Sequence, residues 1–195
     1  YDVQKVFENV GIKTTFIDDS FYSLEVESGP GDLCDWPGYE EGQWCVQDRS
    51  SQKVSILLDP QPGDHVLDAC AAPGSKTTHL AELMGNIGEI WAVDRSPSRL
   101  NLVEANAQRL GVNCINTLEA DSSSLLEIKP EWKNYFQRIL VDAPCSGLGT
   151  LARNPDLRWR MNPQKIDELV TLQMKLLKSV IPLCGPGARI VYSTC

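Results

Sequence analysis

The chain contains no Cys-x-x-Cys pair, only two histidines, and no apolar run near the roughly 20 residues needed to cross a bilayer. Its seven cysteines, Cys34, Cys45, Cys70, Cys114, Cys145, Cys184 and Cys195, are odd in number and irregularly spaced. Both a disulfide framework and a metal centre are therefore disfavoured, since a zinc site would need ligands gathered from distant parts of the chain. Reduced thiols in a cytosol-like compartment are the simpler expectation. The opening Tyr1-Asp-Val-Gln-Lys5 lacks the basic-then-apolar build of a secretion signal, so a soluble protein with no membrane partner is expected. An initiator methionine is also missing, and the final Tyr192-Ser-Thr-Cys195 closes a strand-like run, so the sequence reads as a piece of a longer protein.

What is present is an ordinary globular composition, 42% hydrophobic and 23% charged, long enough to bury one sizeable core. The net charge of −8 is unevenly placed: residues 1–58 hold 11 acidic and 4 basic side chains, the remainder 15 and 14. Such a balance argues against polynucleotide binding by bulk charge, but not by a local patch. One patch exists, with Arg153, Arg158, Arg160 and Lys165 against a lone Asp156 and with Trp159 interleaved. A solvated loop and helix start explains it equally well.

Val3, Val6, Phe7 and Val10 at helical spacing, stopped by Gly11, predict a helix over residues 2–10, and 14–26 reads as extended. The breaker-rich 29–38 reads as a linker, placing a domain boundary near residue 30. A helix is predicted through 54–58. Thereafter short β-branched runs at 65–70, 89–93, 114–119, 138–141 and 188–193 alternate with helical stretches. Ser96-Pro97 and Asn162-Pro163 are helix starts, the first helix ending at Gly111 and the second before Pro182. This alternation predicts βαβ crossovers and a parallel sheet, with ligands beyond the carboxyl ends of its strands.

The first of these strands runs into Asp68-Ala-Cys-Ala-Ala-Pro-Gly-Ser-Lys-Thr77, where small side chains let a ligand approach the backbone. There is no GxGxxG, and the stretch lacks the leading Gly and the Gly-Lys pair of a P-loop, which disfavours a nucleoside triphosphate. The next three strand ends each carry an acid: Asp94, Asp121 and Asp142. An acid ending the second strand is where a ribose diol would be held. Asp121 and Asp142 are then candidates for an adenine amino group and a substrate base; the competing reading is that they cap turns. Three acids in register favour an adenosine-type ligand. Cys145 and Cys195 end neighbouring strands, where a thiol can be accessible and activated. Cys70, Cys114 and Cys184 read as small buried hydrophobes.

Taken together, Asp68 to Thr77, Val141-Asp-Ala-Pro-Cys-Ser-Gly147, Arg153-Asn-Pro-Asp-Leu-Arg-Trp159 and Ser193-Thr-Cys195 resemble the RsmB/Sun family of RNA cytosine-5 methyltransferases. Gly38 to Gln52 is similar to that family's lead-in segment. The resemblance spans about residues 34–195. It implies an α/β, Rossmann-like class I S-adenosylmethionine-dependent methyltransferase fold with a mostly parallel sheet, truncated after the fifth strand. Residues 1–30 would be the remnant of an N-terminal α+β RNA-binding extension, 31–53 a lead-in and 54–195 the catalytic domain. Ser75 departs from the family, which usually has a second glycine there, and is expected to narrow the cofactor loop without blocking it.

The implied cofactor is S-adenosylmethionine. Cys70, Ala71, Ala72, Pro73, Gly74, Ser75 and Lys76 would form its loop, Asp94 would hold the ribose and Asp121 would lie near adenine, with Arg99 and Asp142 completing the set. Cytosine C5 is a poor nucleophile until a thiolate adds at C6, and the C5 proton must later leave so that the thiolate can depart. By resemblance Cys195 is the nucleophile and Cys145 assists release; the residues alone do not order the two. Asp142 would hold the base edge and Lys76 orient that carboxylate or neutralise charge. Arg153, Arg158, Trp159 and Arg160 would grip splayed RNA. Ribosomal RNA is the implied partner, transfer RNA the alternative, with no metal, a monomeric state and a cytoplasmic location. Two rivals stand: a DNA cytosine-5 methyltransferase, in which the Pro-Cys thiol is the nucleophile, and a non-catalytic RNA-binding module.

Overall fold

The structure, a computed structural model, describes residues 2–17, 23–151, 154–160 and 162–194. The chain divides into two compact units, residues 1–46 with 109–111, and 47–108 with 112–195.

In the first unit, α1 (Val3–Asn9) is capped by Asp2, whose carboxylate accepts from the Lys5 amide. Across the stretch predicted as extended, β1 (Lys13–Ile17) and β2 (Ser23–Ser28) pair antiparallel. The unit's core is Phe7, Ile12 and Trp36, with the Trp36 and Trp44 rings set edge-on to Phe7 at 5.6 and 5.3 Å. The Trp36 indole donates to the Pro30 carbonyl at 2.7 Å, and a Cβ on Gly29 would stand 2.3 Å from the Trp36 ring. The breaker-rich stretch is thus packed against aromatic surface, and residue 30 falls inside this unit.

The second unit is a five-stranded sheet: β3 (His65–Asp68), β4 (Glu89–Asp94), β5 (Ile115–Glu119), β6 (Phe136–Asp142) and β7 (Cys184–Ser193). Their order is β5-β4-β3-β6-β7 and every pairing is parallel. The helices are α2 (Arg49–Leu58), α3 (Ser75–Leu83), α4 (Pro97–Arg109), α5 (Leu125–Ile128), α6 (Leu157–Arg160) and α7 (Pro163–Val180). Asp48 starts α2 five residues ahead of the predicted 54–58, its carboxylate accepting from the Ser50 amide at 3.0 Å. Asn162 and Pro163 start α7 as predicted.

Both sheet faces are covered, which is why the strands read as continuous apolar runs. Val66 and Leu140 pack with Leu58 of α2 and Leu80 of α3 on one face. Their neighbours Leu67, Ile139 and Val141 pack with Leu125, Leu176 and Val180 of α5 and α7 on the other. Each fully buried Leu or Ile contributes about 1.5–3 kcal/mol of transfer free energy. Going from β3, the chain steps one way to β4 and β5 and then returns beside β3 as β6 before stepping the other way to β7. The connection reverses between β3 and β6, and a crevice opens beyond their carboxyl ends.

Candidate active site

The loop after β3 is shaped by backbone. Gly74, the N-cap of α3, has φ of 104°, and a Cβ there would lie 3.0 Å from the Val103 Cα. Only glycine meets both demands. Ser75 is the first residue of α3 and is not on the cavity wall.

Asp94 ends β4 and is 9% exposed. Its carboxylate accepts from the Ser96 amide at 3.0 Å and the Ala72 amide at 3.3 Å, and Arg99 stands 3.4 Å away. Arg99 also donates to the Ala72 carbonyl, so strand end, loop and α4 are tied at one point. Asp121 caps the turn after β5, accepting from the Ser123 amide at 2.9 Å and from Arg95 at 2.6 Å. Burial alone would raise its pKa, but these donors outweigh burial and hold the carboxyl below its usual range. Asp142 ends β6: one carboxylate oxygen accepts from Lys76 Nζ at 2.7 Å, the other from Ser193 Oγ at 2.6 Å.

These strand ends surround a cavity of about 370 Å³, within the range of small-molecule sites. Of the residues singled out from sequence, Cys70, Ala72, Asp94, Arg99, Asp142 and Cys145 line it. Ala71, Pro73, Gly74, Ser75, Lys76 and Asp121 do not, although Lys76 reaches the wall through Asp142 and Asp121 through Arg95. Arg158 and Trp159 sit on α6, with Trp159 85% exposed. Arg153, Cys195 and the side chain of Arg160 lie outside the described residues.

The wall fits an adenosine-bearing sulfonium cofactor. Asp94, Arg95, Ser96 and Arg99 gather polar groups on part of the wall, and Ala69, Ala120, Leu172 and Leu176 supply apolar surface. A carboxylate offers about four acceptor positions, so Asp94 retains capacity beside its three neighbours. No group of three His, Cys, Asp or Glu among the described residues is placed to hold a metal, and no described helix is long and apolar enough to cross a membrane.

Burial and the nearby carboxylates push the Cys70 thiol up to about 12, so it is protonated and inert at neutral pH. Cys34, Cys70, Cys114 and Cys184 carry free thiols. Cys145 and Leu172 also line a more open groove of about 320 Å³, with Lys165 and Glu168.

Sequence reasoning missed several participants. Leu172 and Leu176 are legible as an apolar helix face but not as cavity wall. Arg95 and Ser122 each directly follow a singled-out acid, which was the available signal. Asp68, quoted above only as the start of a motif, is 1% exposed and accepts from Thr77 Oγ1 at 2.7 Å. Burial pushes its carboxyl up to about 7, with the hydrogen bond from Thr77 opposing.

Comparison with known proteins identifies the family and the fold. A family model described as 16S rRNA methyltransferase RsmB/F matches residues 55–195. A Synechocystis protein named probable ribosomal RNA small subunit methyltransferase B is 44% identical over the whole chain, which spans 43% of that relative's length. Among solved structures, PH0851 is 38% identical with a TM-score of 0.93 over all of this chain and 43% of its own. NSun6 from Pyrococcus horikoshii, solved with SFG, is 33% identical with a TM-score of 0.76, over 89% of this chain and 44% of its own. The chain thus covers less than half of these relatives, with a Rossmann-like sheet in common, and it belongs to the 16S rRNA methyltransferase RsmB/F family.

Proposed function

We propose that this chain carries the cofactor-binding and base-holding part of an S-adenosylmethionine-dependent RNA cytosine-5 methyltransferase acting on 16S ribosomal RNA. The observation that carries this reading is the clamp of Lys76 and Ser193 on Asp142, on the wall that also holds Asp94 and Cys145. The cofactor supplies an electrophilic methyl group on a sulfonium. Asp94 would take the ribose hydroxyls, with Arg99 keeping the loop carbonyl and the carboxylate in fixed relation. Asp142, its two oxygens oriented by Lys76 and Ser193, would face the cytosine edge and favour a proton at N3 while a thiolate adds at C6. Cys195 would be that thiolate. Cys145, in its reduced state, would assist loss of the C5 proton, after which the carbon–sulfur bond breaks and the thiolate departs. The exposed Arg158 and Trp159 would contact a splayed RNA segment.

The full-length parent protein, acting as a monomer in the cytoplasm, is the form to assay. Labelled methyl should pass to 16S ribosomal RNA, be lost in Cys195→Ala, and leave a trapped protein–RNA adduct in Cys145→Ala. Transfer retained in Cys195→Ala but lost in Cys145→Ala points to the Pro-Cys chemistry of DNA enzymes. Labelling of transfer RNA alone corrects the substrate. Cofactor binding with no transfer marks a non-catalytic module.

A further inference from the structure

Asp68 and Thr77 are nearly sealed from solvent, at 1% and 0% exposure, and neither lines the cavity. Burying a carboxyl is costly unless a partner satisfies it. The partner here is specific: Thr77 Oγ1 donates at 2.7 Å, supplemented by the Cys70 amide at 3.4 Å. Thr77 lies in the first turn of α3 directly after Lys76, whose ammonium reaches Asp142 at 2.7 Å. Asp68 and Asp142 end adjacent parallel strands, with Asp68 in register with Leu140 two residues before Asp142. One helical turn is therefore held at two points by two neighbouring strand ends.

α3 begins at a glycine whose side chain can offer no cap, and no side-chain cap bond is made there. The Thr77–Asp68 bond does the fixing that a cap would otherwise do, and it sets the rotation of the turn from which Lys76 projects. We propose that Asp68 is a positioning residue that, through the Thr77 hydroxyl, fixes the first turn of α3 and so aims Lys76 at Asp142. For its consequence in catalysis this rests on the methyltransferase reading above; for its geometry it does not.

Thr77→Val, close in volume, removes the hydroxyl, and Thr77→Ser restores it. In the full-length parent protein, the rate of reductive methylation of each lysine is measured by mass spectrometry. Thr77→Val should raise the Lys76 rate at least fivefold without changing the other lysines, and Thr77→Ser should match the parent. In an Asp142→Asn background, where Lys76 has already lost its charged partner, Thr77→Val should change the Lys76 rate by less than twofold. The kcat for methyl transfer should fall about tenfold in Thr77→Val with the cofactor KM unchanged. An unaltered Lys76 rate in Thr77→Val, an equal factor in both backgrounds, or a rise shared by all lysines would each overturn the proposal. Lys76 responses of the expected size in the Thr77 variants, together with a parent protein that transfers no methyl group, support the positioning role and overturn only the functional reading.

Discussion

Replacing Asp68 by Asn should make the protein more stable at pH 8 and leave it no more stable at pH 4. In the folded state the Asp68 carboxyl keeps its proton up to about pH 7, because ionisation in that buried place is disfavoured, whereas the ordinary carboxyl releases it near 3.8. Between those values the folded state binds a proton that the unfolded chain does not, so raising the pH draws the equilibrium toward unfolding. Stability from this group is present in full below the unfolded pKa and is lost as pH climbs through the folded one. About three pH units at about 1.4 kcal/mol each set an upper bound of about 4 kcal/mol. Asparagine escapes that loss and keeps an acceptor for Thr77, but its amide hydrogens need partners, which returns about 1–3 kcal/mol. The net gain at pH 8 should be about 1–3 kcal/mol. Urea denaturation of parent and variant at half-unit steps from pH 4 to 8 measures the difference, which should rise to about pH 7 and then level. A difference that stays flat across that range would refute the buried neutral carboxyl.

Gly74→Ala forces a Cβ onto a residue at φ 104° and within 3.0 Å of Val103; it should lower the melting temperature by about 3–10 °C and weaken S-adenosylhomocysteine binding by calorimetry. Asp94→Ala removes a charged acceptor from the cavity wall and should weaken binding of the same ligand about 10–100-fold, measured by calorimetry, while the sheet's circular dichroism is retained. Trp159→Ala, at a ring 85% exposed, should leave the thermal midpoint unchanged and weaken RNA binding in a filter assay about 5–100-fold, the worth of one stacked base.

The parallel sheet was readable because β3 to β6 are short apolar runs, each ending in an acid. Asp94, Asp121 and Asp142 stand out against such runs, and Asn162-Pro163 advertises the start of α7. The front of α2 was hidden because Arg49 to Lys53 are polar and carry no apolar repeat; the signal there was the Asp48 cap. The early part of β7 was hidden by the breakers Gly185, Pro186 and Gly187. Cys184 nevertheless pairs with Phe136 across a register irregularity, and tertiary pairing overrides the breakers. Burial of Asp68 and the Ser193 bond to Asp142 depend on which strands become neighbours. That fact is fixed by strand order, which no local pattern encodes.

The bonds at the crevice close loops of very different length. Those around Asp94 reach no further than Ala72, 22 residues away, whereas Asp142 is gripped from 66 residues upstream and 51 downstream. Tripling a loop from about 22 to 66 residues adds about 1 kcal/mol of closure entropy, and the second grip must wait for β7 to dock. On a ribosome, the bonds around Asp94 can therefore close before those on Asp142. The Ser193 grip on Asp142 waits for β7, and the cavity keeps an open side until α7 brings Leu172 and Leu176 to its wall.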